Sequence, residues 1–176
     1  MKKKILMTIL AGTMAFGLVA CGEKNVEPKE DVVAAASAVT DESTLLNALD
    51  NSWIVTVKSD LKTDKDIVIN KDFEVPDKED PSKMVLKGRK LALIEKDDKQ
   101  VVTASHTINA PKLVIKSQKT TLLGGKFVGD IYVESNDFTI QDTEVEGDIY
   151  FANAEVEKSF KLEGKASVSG NQIIKK

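Results

Sequence analysis

A repeat in the C-terminal half of the chain constrains its fold more than any other feature. Residues 129–133 read Gly-Asp-Ile-Tyr-Val, and residues 147–151, eighteen positions later, read Gly-Asp-Ile-Tyr-Phe. The same spacing relates residues 113–115 to 131–133, and Leu122 to Ile140. A period of this size predicts an array in which each repeat buries its apolar residues against the next.

The pattern inside each repeat predicts the class of array. Apolar and polar residues alternate with a period of two, and many of the apolar residues are β-branched, so helical arrays are excluded. We predict an all-β fold, namely a right-handed parallel β-helix of about six coils, with an antiparallel β-sandwich as the alternative. Residues 105–174 resemble the wider β-helix class, which includes the pectate-lyase-like and bactofilin-like solenoids.

The spacing lengthens toward the C-terminus. Residues 138–140 match 160–162 at an offset of 22, and Val145 matches Val168 at an offset of 23. The extra residues fall in 152–159, where we predict a polar loop. Two further surface excursions are predicted, a loop at 76–83 and a turn between two strands at 96–99, because both are rich in charge or proline.

A short helix is predicted for residues 41–50. Asp41 is a good N-cap residue, and Leu45, Leu46 and Leu49 fall on one face at helical spacing. We expect this helix to cover the N-terminal end of the strand array, which otherwise exposes apolar side chains and strand edges. The β-helix domain, with this cap, is therefore predicted to span residues 41–176.

The first twenty-one residues resemble a bacterial lipoprotein signal peptide. A basic start at residues 2–4 precedes an apolar run at 5–20, and small residues lead into Cys21. The resemblance implies removal of residues 1–20, attachment of diacylglycerol and a fatty acid such as palmitate to Cys21, and a lipid-anchored location on the extracytoplasmic face of the cell membrane. The alternatives are an ordinary cleaved signal with an incidental cysteine, or a short membrane helix.

Residues 21–40 are predicted to form a flexible tether after the lipidated cysteine. They are mostly Glu, Lys, Pro, Ala and Ser, with few large apolar side chains to offset the entropy of ordering.

Charge and cysteine content exclude several classes of function. The formal net charge is −3, and removal of residues 1–20 takes away three lysines and no acid, so nucleic acid is not an expected partner. Cys21 is the only cysteine, so the chain forms no internal disulfide and offers no cysteine-based metal cluster.

Two tyrosines form the candidate binding face. Strand alternation directs Ile131 and Val133 inward and Tyr132 outward, and the repeat places Tyr150 next to Tyr132 on the outer surface. Two rings about 5 Å apart could stack against a sugar or another protein. The alternative is a cross-strand pair that only stabilises the sheet.

Two aspartates are weak candidates for a metal site. Asp130 and Asp148 follow the repeated glycines, so they occupy one position in successive repeats, beneath Lys112. Stacked carboxylates could bind calcium. The competing explanation is a role in the turn, which is common for Asp after Gly.

No catalytic residue is predicted. Ser105 and His106 are neighbours in a strand and point to opposite faces, so they do not form a nucleophile and base pair. Arg89, the only arginine, would be the base of a polysaccharide lyase, which is the third choice of function.

The sequence thus predicts a lipid-anchored, non-catalytic structural or interaction module at the cell surface. The alternative is a lipoprotein that binds carbohydrate or cell-wall polymer through Tyr132 and Tyr150. Expected partners are the membrane and, beyond it, cell-wall polysaccharide, a surface protein or a second copy. Self-association has a physical route, because no capping helix is predicted near residues 167–176.

Overall fold

Strands make up most of the computed structural model, which describes residues 34–175. In chain order the strands are β1 (Ala34–Val39), β2 (Ser52–Val57), β3 (Leu61–Lys62), β4 (Ile67–Ile69), β5 (Phe73–Pro76), β6 (Met84–Lys87), β7 (Arg89–Ala92), β8 (Ile94–Lys96), β9 (Val102–Ser105), β10 (Thr107–Ile115), β11 (Thr120–Leu123), β12 (Lys126–Val133), β13 (Thr139–Gln141), β14 (Glu144–Glu146), β15 (Ile149–Phe151), β16 (Lys161–Glu163), β17 (Ser167–Val168) and β18 (Gln172–Ile174). The helices are α1 (Glu42–Asn51) and α2 (Ala154–Ser159).

Two parallel sheets organise these strands. Sheet A has the order β1-β2-β7-β11-β13-β16. Sheet B runs from β3 and β4 through β10 and β12 to β14 and β15, and then to β17 and β18. The chain alternates between them, so that one strand of sheet A and the sheet B strands that follow it form one level of the structure.

The register of the sheets follows the sequence repeat. Leu122 pairs with Ile140 in sheet A, and Ile131 pairs with Ile149 in sheet B. The prediction of an all-β chain with parallel sheets is confirmed, and the antiparallel sandwich is wrong. The sandwich alternative is wrong because about eighteen residues take the chain through both sheets and return it in its original direction, so neighbouring levels run parallel.

The core lies between the sheets and consists of columns of aliphatic residues. Leu91, Leu122 and Ile140 form one column in sheet A. Leu113 and Ile131 belong to a column in sheet B, and all five side chains are almost fully buried. Burial of such a side chain contributes about 1.5–3 kcal/mol, so stability accumulates level by level without a disulfide.

Helix α1 forms where the sequence predicts it. Asp41 is the N-cap, with its Oδ1 accepting the Thr44 N–H at 2.9 Å, and Thr44 returns the contact by accepting the Asp41 N–H. Leu45, Ala48 and Leu49 are buried, and the helix packs against β1, β2 and β4. The predicted cap helix is therefore present, displaced by one residue.

The predicted extent of the tether is wrong at its C-terminal end. Residues 34–39 form strand β1, which pairs in parallel with β2, and Val39 is buried. Composition misled the prediction, because an edge strand is stabilised by backbone pairing with its neighbour and needs few large side chains of its own. Residues 1–33, which include the predicted signal peptide and Cys21, lie outside the described residues.

The two predicted excursions are antiparallel hairpins. Strands β5 and β6 flank the loop at 77–83, and β8 and β9 flank the turn that begins at Asp97. The Asp97 carboxylate accepts the Lys99 and Val101 N–H groups, both at 2.9 Å, and so closes that turn. Within residues 34–175, antiparallel pairing is confined to these two hairpins.

The polar loop predicted at 152–159 is instead a short helix. Asn153 caps α2 by accepting the Glu155 and Val156 N–H groups, both at 3.0 Å. Val156 is buried, which fixes the helix to the core. The extra residues in this repeat thus form an ordered helical turn between β15 and β16.

Candidate functional site

The outer face of sheet B carries a column of apolar side chains. Val68, Val114, Tyr132, Tyr150 and Ile173 are paired in register across five successive levels. The first four are half-buried and Ile173 is 37% exposed. The structure therefore brings the two predicted tyrosines together within a longer apolar column.

Tyr132 and Tyr150 stack on each other. Their ring centroids lie 4.7 Å apart, with an angle of 22° between the ring planes. The Tyr150 hydroxyl donates to Asp148 Oδ2 at 3.2 Å. Burial, followed by this hydrogen bond, raises the pKa of Tyr150.

This stacking determines what the tyrosines can offer a ligand. Each ring covers one face of the other, and the Nζ atoms of Lys175 and Lys112 lie 4.0 and 5.6 Å from the Tyr132 ring centroid. A sugar binds an aromatic side chain through an open ring face. The arrangement is thus more typical of a packed cross-strand ladder than of a sugar-binding platform.

Asp130 and Asp148 bond to the backbone of the next level. Asp130 Oδ1 accepts the Asp148 N–H at 3.0 Å, and Asp148 Oδ1 accepts the Asn171 N–H at 2.7 Å. These bonds support the turn explanation, and calcium would have to compete with the two N–H donors. Among the described residues, no group of three or more His, Cys, Asp or Glu side chains is placed to hold a metal ion.

Arg89 is a buried clamp that sequence reasoning missed. It is 3% exposed and donates to the carbonyls of Lys71 at 2.6 Å, Leu49 at 2.5 Å and Ser52 at 3.2 Å. Desolvation lowers its pKa to about 10. Because it joins the end of α1, the start of β2 and the segment before β5, its contacts could not be read from its sequence neighbours.

His106 belongs to a hydrogen-bond network at the base of the second hairpin. Its Nε2 lies 3.0 Å from Glu95 Oε1, while Lys58 Nζ donates to Glu95 Oε2 at 2.6 Å. The Lys58 bond, followed by the His106 bond, lowers the pKa of Glu95. These contacts join β8 to the segments that follow β2 and β9.

The last level of the array exposes apolar residues that continue the buried columns. We call strands β16, β17 and β18 the terminal level. Leu162 pairs with Ile140, and Ile174 pairs with Phe151, yet Leu162 is 44% and Ile174 is 39% exposed. Both partners are fully buried, so the exposure arises because no described segment packs on the terminal level.

The opposite end of the array has a polar cover. Helix α1 directs Leu45 and Leu49 into the core, whereas Ser43, Asn47 and Asp50 are exposed on its outer side. The two ends of the structure therefore differ in chemistry: α1 presents a polar outer side, whereas the terminal level exposes Leu162 and Ile174 beside the polar Gln172, which continues the buried Ile149 column.

The two hairpins also expose large apolar side chains. Met84 and Val85 lie on β6, Val102 is the first residue of β9, and Val101 directly precedes it. These residues do not continue a buried column of the core, which distinguishes them from the terminal level.

In the described part of the chain, no helix combines the length and apolarity needed to cross a membrane. Comparison of the sequence with known protein families, with curated proteins and with solved structures finds no match for the chain.

Proposed function

We propose that this protein is a lipid-anchored, non-catalytic interaction module on the extracytoplasmic face of a cell membrane. The basic, apolar and small-residue pattern that ends at Cys21 supports the anchor. We propose further that residues 34–175 form a right-handed parallel β-helix. The regular alternation between two parallel sheets, at offsets of 18 to 23 residues, supports that architecture.

The exposed apolar terminal level is the observation that carries the interaction function. Leu162 and Ile174, which continue the core columns, are 44% and 39% exposed there, and the three strands have one free edge each among the described strands. An exposed apolar surface beside unpaired strand edges is a contact site for another chain. We propose that the terminal level is the contact surface of the module.

The other two functions receive less support. Carbohydrate binding needs an open tyrosine face, and the rings of Tyr132 and Tyr150 cover each other. A lyase needs a base that reaches its substrate, and Arg89 is buried against three backbone carbonyls.

The anchor is tested by Cys21→Ser in the full chain, expressed in a bacterial host. We expect the unsubstituted protein to pellet with membranes and the variant to be released into the soluble extracytoplasmic fraction. Mass spectrometry of the purified protein should show a lipid on Cys21. Membrane association that survives the substitution would contradict the proposed anchor.

The contact surface is tested by site-specific photo-crosslinking in the same host. A photoreactive phenylalanine analogue at position 162 should give a crosslinked product. The same analogue at position 101, on the second hairpin, is the matched control, because Val101 is 58% exposed and lies outside the terminal level. Absence of a product from position 162, or equal products from both positions, would contradict the proposed contact surface.

A further inference from the structure

We infer that the partner of the terminal level is a second copy of this chain, paired through two antiparallel β16 strands across a two-fold axis. The inference rests on the proposed function, since it names the partner of the proposed contact surface. Three features of the described residues carry it: the apolar character of the surface, the direction of its free backbone groups, and the order of its charges.

The apolar surface is self-complementary. Leu162 is the middle residue of β16 on sheet A, directly beyond the buried Ile140, and Ile174 lies beyond the buried Phe151 on sheet B. A second copy that presents the same end would bury the same side chains against each other. This is the geometry of an isologous contact, in which one patch serves both subunits.

The other end of the molecule is a poorer partner. The outer side of α1 presents Ser43, Asn47 and Asp50 to solvent, and the free edge of β1 at the same end carries no charged side chain that could pair with the charges of β16. Burial of Leu162 and Ile174 against these polar groups would desolvate them without compensation. A contact between two terminal levels is therefore favoured over a head-to-tail stack.

The free backbone groups of β16 have the arrangement that an antiparallel pair centred on Leu162 requires. The Lys161 N–H donates to the Phe138 carbonyl at 3.0 Å, and the Glu163 carbonyl accepts the Asp142 N–H at 3.1 Å. Residues 161 and 163 thus face β13, and strand alternation directs the N–H and C=O of Leu162 to the free edge. In an antiparallel ladder, two residues that face each other in this way exchange both hydrogen bonds.

The charges of β16 match the same register. Lys161 and Glu163 flank Leu162, both are exposed, and within the described residues neither takes part in an ion pair. When Leu162 faces Leu162 of the second copy, Lys161 faces Glu163 of that copy, and the reverse contact repeats across the two-fold axis. Opposite charges that face each other across strands stabilise a sheet, and like charges destabilise it.

The contact is small, so we expect weak association in solution. Only one level of strands from each copy takes part, which is less than a standard protein interface. Confinement of both copies to one membrane surface raises their effective concentration. The proposed lipid anchor would then convert a weak contact into a populated pair.

Charge reversal at β16 tests the inference. We would measure sedimentation equilibrium of the mature chain, residues 21–176 with Cys21→Ser, over a range of concentrations. The variants are Lys161→Glu, Glu163→Lys and the double exchange Lys161→Glu/Glu163→Lys. We expect a monomer–dimer equilibrium, about tenfold weaker association for each single variant, and recovery in the double exchange, where the charges again face opposite partners.

Two controls make the result decisive. Thermal unfolding in dilute protein, where the monomer predominates, should be unchanged in all three variants, because both side chains are exposed. Leu162→Ser should abolish dimerisation, whereas Val101→Ser should leave it intact. A chain that stays monomeric at all concentrations, or a double exchange as weak as the single variants, would overturn the antiparallel pair.

The photo-crosslinking experiment separates this inference from the proposed function. A product from position 162 with the mass of two chains supports both. A product with a different protein overturns the second-copy inference while the contact surface stands. No product above the position 101 control overturns both.

Discussion

Position 147 accepts only glycine, because the backbone of the preceding level leaves no room for a Cβ atom. Gly147 has a φ of +157°, and a Cβ atom there would lie 2.0 Å from the Gly129 carbonyl oxygen of the preceding level. Gly170, one level further on, approaches the Gly147 carbonyl in the same way. The repeated glycine therefore allows the levels to stack closely at the bend within sheet B, and the aspartate after it supplies the hydrogen bond between levels.

We predict that Gly147→Ala destabilises the fold by at least about 2 kcal/mol, because the added methyl group collides with backbone that cannot move aside. Urea denaturation followed by circular dichroism would measure the loss. Gly88→Ala is the matched control, since its Cβ would lie 3.3 Å from the nearest atom and its φ is outside the left-handed region. Equal losses at both positions would contradict the steric explanation.

The N-cap of α1 is a second single-residue determinant, and it depends on pH. Hydrogen bonds from the Ser43 side chain and then from the Thr44 backbone lower the pKa of Asp41 from 3.8 to about 2. A carboxyl group with a lowered pKa in the folded state stabilises the fold above its unfolded pKa. That contribution is lost as the pH falls from about 4 toward 2.

We predict that Asp41→Ala lowers the melting temperature by about 2–4 °C at pH 7, through loss of the cap. The difference from the unsubstituted protein should shrink as the pH falls from 4 to 2, because the native carboxylate becomes protonated. Asp41→Asn keeps a capping oxygen without titrating, and it should retain most of the stability at pH 7. Thermal melts at a series of pH values would test both variants, and a difference that is constant from pH 7 to pH 2 would contradict the assignment.

At the scale of elements, the outer column of sheet B joins five levels through side chains. Tyr132 and Tyr150 are its largest members and stack at 4.7 Å. Such a pair stabilises the sheet by its own contact, in addition to the burial of each ring.

A double-mutant cycle should reveal this coupling. We predict that Tyr132→Ala and Tyr150→Ala each lower the melting temperature, and that the double variant loses about 2 °C less than the sum of the two. Tyr132→Ala combined with Met84→Ala is the control, because Met84 lies on the first hairpin and should add independently. Strict additivity in the tyrosine cycle would show that the two rings do not stabilise each other.

Arg89 acts between elements rather than within one. Its guanidinium holds the carbonyls of Leu49, Ser52 and Lys71 and lies 4.9 Å from the Phe73 ring centroid. A buried side chain that donates hydrogen bonds to three carbonyls has a structural role, because its removal leaves those acceptors unpaired.

For the molecule as a whole, repeated levels predict a gradient of local stability. Each level is stabilised by its neighbours, so a level with one neighbour opens more readily than a level with two. Strand β12 lies between β10 and the pair β14 and β15, whereas β18 pairs only with β15 among the described strands.

We predict that amides of β18 exchange with solvent on the order of 100-fold faster than those of β12 in dilute protein. Hydrogen exchange followed by mass spectrometry or NMR would measure both sets. If copies pair through the terminal level, the Leu162 amide should become more protected as protein concentration rises, while the β12 amides remain unchanged. Uniform exchange across all levels would contradict the gradient.

Sequence alone determined those features that depend on local periodicity. The eighteen-residue spacing favoured parallel neighbours over the antiparallel sandwich, because a fixed repeat that passes through both sheets returns the chain to the same direction. Alternation specified which residues point inward, and it placed Tyr132 and Tyr150 side by side on the outer face. The cap at Asp41 and the leucine spacing after it specified α1, since capping and helical periodicity are encoded within one turn.

Tertiary structure alone decided the features that depend on contacts between distant segments. Strand β1 exists because β2 pairs with it, a partner that composition does not reveal. Arg89 joins three separate backbone segments because their carbonyls converge on its guanidinium. Lys175 lies over the Tyr132 ring because the last strand, β18, pairs with β15. The exposure of Leu162 has the same origin, because an apolar residue is buried or exposed according to what packs on it. Local pattern selects a face, and long-range packing decides whether that face is covered.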